Sequence, residues 1–224
     1  MGQNITLTAK DGHSFSAYRA DPAGKPKGAV VVIQEIFGVN HHIRAVADGY
    51  AKDGYVAVAP AIFDRAEKGV ELGYDQAGMN AGRGMIGKIP MEKVGEDAQA
   101  TIDYAKQFGK VGIVGYCLGG SVAFRAATQL NGIAAAVGYY GGQIASITDQ
   151  KPTVPLMLHF GDQDQSIPVT DIAKIKAARG GDAEIFVYAG AGHGFNCDER
   201  PSWNADAAKT ARERTLDFFK KHVG

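Results

Sequence analysis

Cys117 stands where a continuous apolar run, "VGIVG", gives way at once to "LGGSVAFRAATQL", whose apolar spacing is helical. Glycine lies two residues before it and two after, so residues 115–119 read Gly-Tyr-Cys-Leu-Gly. That is the G-x-S-x-G pattern of a nucleophile turn with sulfur in place of oxygen. A strand that reverses into a helix within two residues brings backbones close together, and a Cβ at either glycine would collide. The cysteine then sits at a helix N-terminus, where partial positive charge and free N–H groups favour a thiolate. Such a residue can attack a carbonyl carbon, with the Leu118 N–H as one donor to the oxyanion that forms. An inert buried cysteine fits the same short pattern equally well, so its partners decide the reading.

A thiol nucleophile needs a base and a group that orients the base, in the chain order nucleophile, acid, histidine. Three histidines follow Cys117: His159, His193 and His222. His159 lies inside the apolar run "PLMLHFG" and reads as a core residue, while His222 sits near the end of a polar helix and reads as solvated. His193, in the glycine-rich "AGAGHGFN" directly after a strand-like run, is where a catalytic histidine would be held. The loop "GDQDQSIP" offers Asp162 and Asp164 as the acid, and spacing alone does not separate them. Glu35 ends another buried run, "AVVVIQE", and would point from a strand's C-terminal end toward the same place. It could accept the thiol's proton, or it could be a structural carboxylate paired with Arg44 or another cation.

These residues need a scaffold that brings strand ends together. "NITLTA" and "HSFSAYRA" alternate apolar and polar residues around "KDG", which predicts an antiparallel β-hairpin. After it come six short, nearly continuous apolar runs, from "AVVVIQE" to "AEIFVYAG", that suit strands buried on both faces. Helical spacing marks residues 41–52, 92–107, 170–178 and 203–221 between and after them. Alternating strands and helices predict right-handed crossovers and a doubly wound, mostly parallel sheet with helices on both faces. Residues 64–90, rich in glycine and charge, are the least regular and are expected to run over the ligand-binding edge of the sheet.

Nothing splits the chain, so residues 1–224 are expected to form one domain. Lys+Arg and Asp+Glu balance at 24 each, which argues against a nucleic-acid partner. No apolar run reaches membrane-spanning length, and the polar N-terminus lacks a secretory h-region. Two cysteines make no disulfide framework. A cytoplasmic protein with a small-molecule substrate, no nucleic-acid or membrane partner and no metal or cofactor is expected, with a monomer as the expected state and an oligomer left open.

Taken together, "QEIFGVN" at 34–40, "GYVAVAP" at 54–60, "VGIVGYCLGG" at 111–120, "AVGYYGG" at 136–142, "GDQDQSIP" at 161–168 and "AGHGFN" at 191–196 resemble the dienelactone hydrolases (carboxymethylenebutenolidases). The resemblance, extended by "ERTLDFF" at 213–219, covers nearly the whole chain. It implies an α/β-hydrolase fold and a triad of Cys117, Asp164 and His193. It further implies that Glu35 activates the thiol by pairing with it, and that the N–H groups of Ile36 and Leu118 form the oxyanion hole. The implied activity is opening of a dienelactone or similar activated enol-lactone through a thioester, with another activated ester, thioester or lactone as the alternative. A non-catalytic thiol sensor on the same scaffold is the reading from a different class. One position departs: dienelactone-specific members carry an arginine four residues after the histidine, and here Cys197 stands there. Arg83 and Arg200 are therefore candidates to hold a substrate carboxylate, with Phe37 and Tyr116 as further candidate substrate contacts.

Overall fold

The computed structural model describes residues 2–224. Its frame is one eight-stranded sheet: β1 (Gln3–Thr8), β2 (Ser14–Ala20), β3 (Ala29–Ile33), β4 (Val56–Pro60), β5 (Val111–Tyr116), β6 (Ala135–Tyr139), β7 (Leu156–Gly161) and β8 (Glu184–Tyr188). Spatial order is β1-β2-β4-β3-β5-β6-β7-β8. The β1–β2 hairpin and the β2–β4 pair are antiparallel, and every pair from β4 to β8 is parallel. β3, β4, β5 and β6 are buried along their whole length, which is why their sequences read as unbroken apolar runs.

Six helices cross over the sheet: α1 (His41–Lys52), α2 (Gln76–Ile86), α3 (Met91–Ala105), α4 (Leu118–Gln129), α5 (Val169–Arg179) and α6 (Ala205–His222). α1 and α6 lie together, joined by the Arg212 guanidinium 3.9 Å over the Tyr50 ring. α3 and α4 form another layer, where the Gln99 side chain bonds the backbone of Asn131. The strand order reverses at β3: the chain steps outward to β4 and returns on the other side as β5. The C-terminal ends of β3 and β5 therefore flank a crevice, the place where open α/β sheets bind ligands.

The helices expected at 41–52, 92–107, 170–178 and 203–221 form within two residues of those limits. Residues 64–90 differ from the expectation of an irregular excursion, because they contain α2. Glycines 78, 82 and 84 break its apolar pattern, and Gly82 is there for contact: a Cβ on it would stand 1.9 Å from the Ile36 carbonyl oxygen. α2 thus lies directly on the loop after β3. Asp75 caps it, accepting the Gly78 N–H at 2.7 Å.

Candidate active site

Cys117 occupies the turn between β5 and α4 with φ 55° and ψ −112°, a left-handed conformation that costs a non-glycine residue about 1–3 kcal/mol. Its N–H is held by the Tyr139 carbonyl at 3.0 Å, and the Gly119 N–H by the Gln34 carbonyl at 3.1 Å. The flanking glycines are sterically required. A Cβ on Gly115 would meet the Gly119 oxygen at 1.9 Å, and one on Gly119 would meet the Ile33 oxygen at 2.3 Å. The strained turn lifts the thiol, half-buried, into a cleft of about 560 Å³ at the ends of β3 and β5.

His193 and Asp164 arrive from the loops after β8 and β7. His193 Nε2 lies 3.1 Å from Cys117 Sγ and its Nδ1 lies 2.8 Å from Asp164 Oδ2. Because a carboxylate only accepts, that contact assigns a proton to Nδ1. Asp164 Oδ1 accepts the N–H groups of Ser166 and Ile167 at 2.8 and 3.1 Å, so the buried carboxylate is held from both sides. Asp162 plays no part in this set, because its Oδ1 accepts the Gly190 N–H at 2.8 Å. Burial works against charge on His193, but the bonds to Asp164 and Cys117 outweigh it and raise its pKa to about 10. His159 behaves in the opposite way: burial pushes it down to about 3, and it bonds to the hydroxyls of Tyr188 and Thr215 in the core.

The N–H groups of Ile36 and Leu118 have no acceptor among the described residues, and both residues line the cleft beside Cys117. Two free donors at the ends of β3 and β5 fit a developing oxyanion. Tyr139 is followed by Tyr140, a second residue with positive φ (38°), whose ring packs 5.2 Å from His193.

The Glu35–Cys117 pairing implied by the resemblance is not the contact found. Glu35 Oε1 accepts from Arg200 Nη1 at 3.1 Å, while Oε2 is buried without a partner. Arg44 is excluded as its partner, since that guanidinium is spent on both oxygens of Glu71 at 2.6 Å. Arg200 lines the cleft, as do Arg83 on α2 and Phe37. Tyr116 requires a correction. It is 1% exposed, stacks on Tyr139 and meets the Tyr50 hydroxyl at 3.4 Å, so it faces the α1–α6 layer and not the cleft. Strand alternation explains this, because the last residue of β5 points down when the next residue must point up.

Residues that sequence reading passed over include Gln143, Ser121 and Tyr74. Gln143 lines the cleft, with its N–H on Ser121 Oγ at 3.1 Å, and "YYGGQ" was its only signal. Cys117 and Cys197 are both free thiols. Among the described residues, His42, Cys197 and Asp198 bring potential metal ligands within 4.8 Å of one another, outside the cleft. Burial pushes the Cys197 thiol up to about 12. Another cleft, of about 620 Å³ between α3 and α4, is lined by neither cysteine nor histidine. No helix among the described residues is long and apolar enough to cross a membrane.

The model of the dienelactone hydrolase family matches residues 15–223. A Pseudomonas putida protein named carboxymethylenebutenolidase is 35% identical, with 98% of this chain and 96% of that protein covered. A Synechocystis sp. protein, assigned to carboxymethylenebutenolidase by its name, is 38% identical over 93% of this chain and 92% of its own. A crystal structure from Klebsiella pneumoniae, assigned to the dienelactone hydrolases by its description, superposes with a TM-score of 0.84 at 28% identity, covering 99% of this chain and 100% of that one. The chain belongs to the dienelactone hydrolase family of α/β-hydrolases, enzymes that cleave ester and lactone bonds.

Proposed function

We propose that the chain opens an activated enol-lactone of the dienelactone type to its carboxylate, by way of a thioester on Cys117. The observation that carries this reading is the contact series Cys117 Sγ, His193 Nε2, His193 Nδ1, Asp164 Oδ2, with separations of 3.1 and 2.8 Å, beside the unengaged N–H groups of Ile36 and Leu118.

In this reading the thiol's proton rests on His193, whose pKa the contacts with Asp164 and Cys117 raise, and the sulfur attacks the carbonyl carbon. The carbonyl oxygen becomes an oxyanion between the Ile36 and Leu118 N–H groups, one such donor contributing about 2.7–4 kcal/mol. Collapse breaks the ring C–O bond and expels an enolate, which takes the proton from His193 and leaves the acyl group on Cys117. His193 then removes a proton from water, the hydroxide attacks the thioester, and the carboxylate product leaves as the thiol is restored. Asp164 keeps the Nδ1 proton in place throughout. Thiolate is itself readily expelled from a tetrahedral intermediate, so a good leaving group such as an enolate suits this nucleophile and an amide does not. Glu35 is engaged by Arg200, which makes His193 the base and leaves Glu35 to hold the guanidinium at the cleft. Arg200 and Arg83 supply the positive charge that a substrate carboxylate needs in a cleft whose apolar lining includes Ile36, Phe37, Met79 and Ile86.

The alternative is hydrolysis of another activated ester, thioester or lactone by the same set. Comparing kcat/KM on a dienelactone and on a neutral p-nitrophenyl ester, with Cys117→Ala as the blank, separates the two. Strong preference for the dienelactone supports the first reading, and equal or reversed preference supports the second. Hydrolysis retained in Cys117→Ala refutes both.

A further inference from the structure

The arginine expected four residues after His193 is replaced by Cys197, yet a guanidinium still reaches Glu35. It comes from Arg200 because the loop turns there: the Arg200 N–H bonds the Cys197 carbonyl at 3.2 Å. The side chain then fills a slot with three sides, one of them an aromatic wall of Phe37 and Tyr74. Its charged carbon lies 5.6 Å from the centre of the Phe37 ring and 5.8 Å from that of Tyr74. Glu35 closes the inner end at 3.1 Å. Gly194, with φ +79°, forms the remaining side, where a Cβ would stand 2.4 Å from Arg200 Nη1.

Tyr74 is fixed more firmly than a loop residue needs to be. Its ring meets Phe37 edge-on at 4.6 Å, its hydroxyl accepts from Asn40 Nδ2 at 3.1 Å, and the same hydroxyl lies against the Cys197 thiol. Asn40 is itself anchored, since its Oδ1 caps α1 through the Ile43 N–H. The bond to Glu35 is the only side-chain hydrogen bond that Arg200 makes among the described residues, and Arg200 lines the cleft. Its remaining N–H donors are left for a ligand.

Resting on the hydrolase reading of the cleft, we propose that Tyr74 is a specificity-determining positioning residue: with Phe37 it forms an aromatic wall that backs one side of the Arg200 guanidinium, so that its free donors face the cleft and select acyl groups bearing a carboxylate. An aromatic wall attracts a planar cation on one side and leaves its outward N–H groups free for a bidentate partner. Lysine, with no plane to stack, would not be oriented in the same way. Tyr74 touches no substrate atom in this account and acts through Arg200.

The test compares two esters with one leaving group and one acyl length, mono-4-nitrophenyl glutarate (anionic) and 4-nitrophenyl pentanoate (neutral). Wild type is expected to favour the anionic ester through a lower KM. Tyr74→Leu should lose about tenfold of that preference, mainly in the KM of the anionic ester, while Tyr74→Phe, which keeps the ring, retains most of it. Arg200→Lys keeps the charge without the plane and should resemble Tyr74→Leu, which keeps the comparison decisive if the leucine variant folds poorly. A Tyr74→Leu enzyme that loses the same factor on both esters would show a merely structural role and overturn the proposal. Wild type with no preference for the anion would overturn it as well, with the hydrolase reading intact. Full activity on both esters in Cys117→Ala would instead overturn the Cys117 chemistry on which the reading of the cleft rests.

Discussion

Replacing Arg200 by methionine tests the electrostatics of the cleft wall most severely. The Glu35 side chain is 1% exposed and that of Arg200 13%, so water screens neither charge. Oε1 of Glu35 has Arg200 as its only partner and Oε2 has none, which leaves the carboxylate without any hydrogen bond once the guanidinium is gone. Breaking a buried pair by removing one partner costs about 3–5 kcal/mol. For a chain of this length each kcal/mol moves Tm by about 2–4 °C, so Arg200→Met should melt on the order of 10 °C below wild type. Adding Glu35→Gln removes the stranded charge, and the double variant should recover more than half of the loss. Urea titrations of the four proteins in the cycle give the coupling directly. A loss under about 1 kcal/mol in Arg200→Met would refute the reasoning, because it would mean that Glu35 is solvated or satisfied without Arg200.

Asp164→Asn should keep the fold, since its side-chain oxygen can still accept the Ser166 and Ile167 N–H groups, and should lower kcat on the order of 10³–10⁴-fold by releasing the His193 tautomer. Steady-state kinetics beside a melting curve would show whether activity falls without stability. The pKa of His193 is raised from 6.5 to about 10 in the folded chain, so the stability it contributes is complete below about pH 6.5 and is lost as pH climbs through 10. Wild type should therefore lose Tm relative to His193→Gln across that window, and parallel Tm profiles would contradict the assignment. Gly82→Val forces α2 off the Ile36 carbonyl, with a stability cost of about 1–3 kcal/mol for the overpacked contact and at least a tenfold drop in kcat/KM. Unchanged kinetics would show that α2 does not support the loop carrying Ile36.

Much of this architecture was legible because single-residue chemistry and sheet burial both leave local marks. The glycines around Cys117 announce a turn that no Cβ fits, and the parallel strands announce themselves as runs such as Val30–Ile33, apolar on both faces. His159 was readable as core because it sits within an apolar strand, and His193 as a loop residue that reaches the cleft because it follows one. α2 was not legible, since Gly78 and Gly82 serve tight contacts, and with Gly84 they interrupt any amphipathic stripe. Tyr116 was misjudged for a different reason. Adjacency to Cys117 in sequence places it on the opposite face of the sheet, which only the direction of the strand at its end decides. The Glu35–Arg200 pair joins residues 165 apart, and nothing local predicts which cation closes on a buried carboxylate. Tyr74 lies in a stretch whose composition reads as loop, and its importance arises solely from what packs on it.

The central claim is that Cys117 carries the acyl group, and rapid acid quench followed by mass spectrometry tests it most directly. Wild type mixed with a slowly deacylated 4-nitrophenyl ester should show one added acyl mass on the peptide containing Cys117, cleavable by hydroxylamine and absent from Cys117→Ala. Full turnover by Cys117→Ala, or an acyl group found on any other residue, would contradict the account.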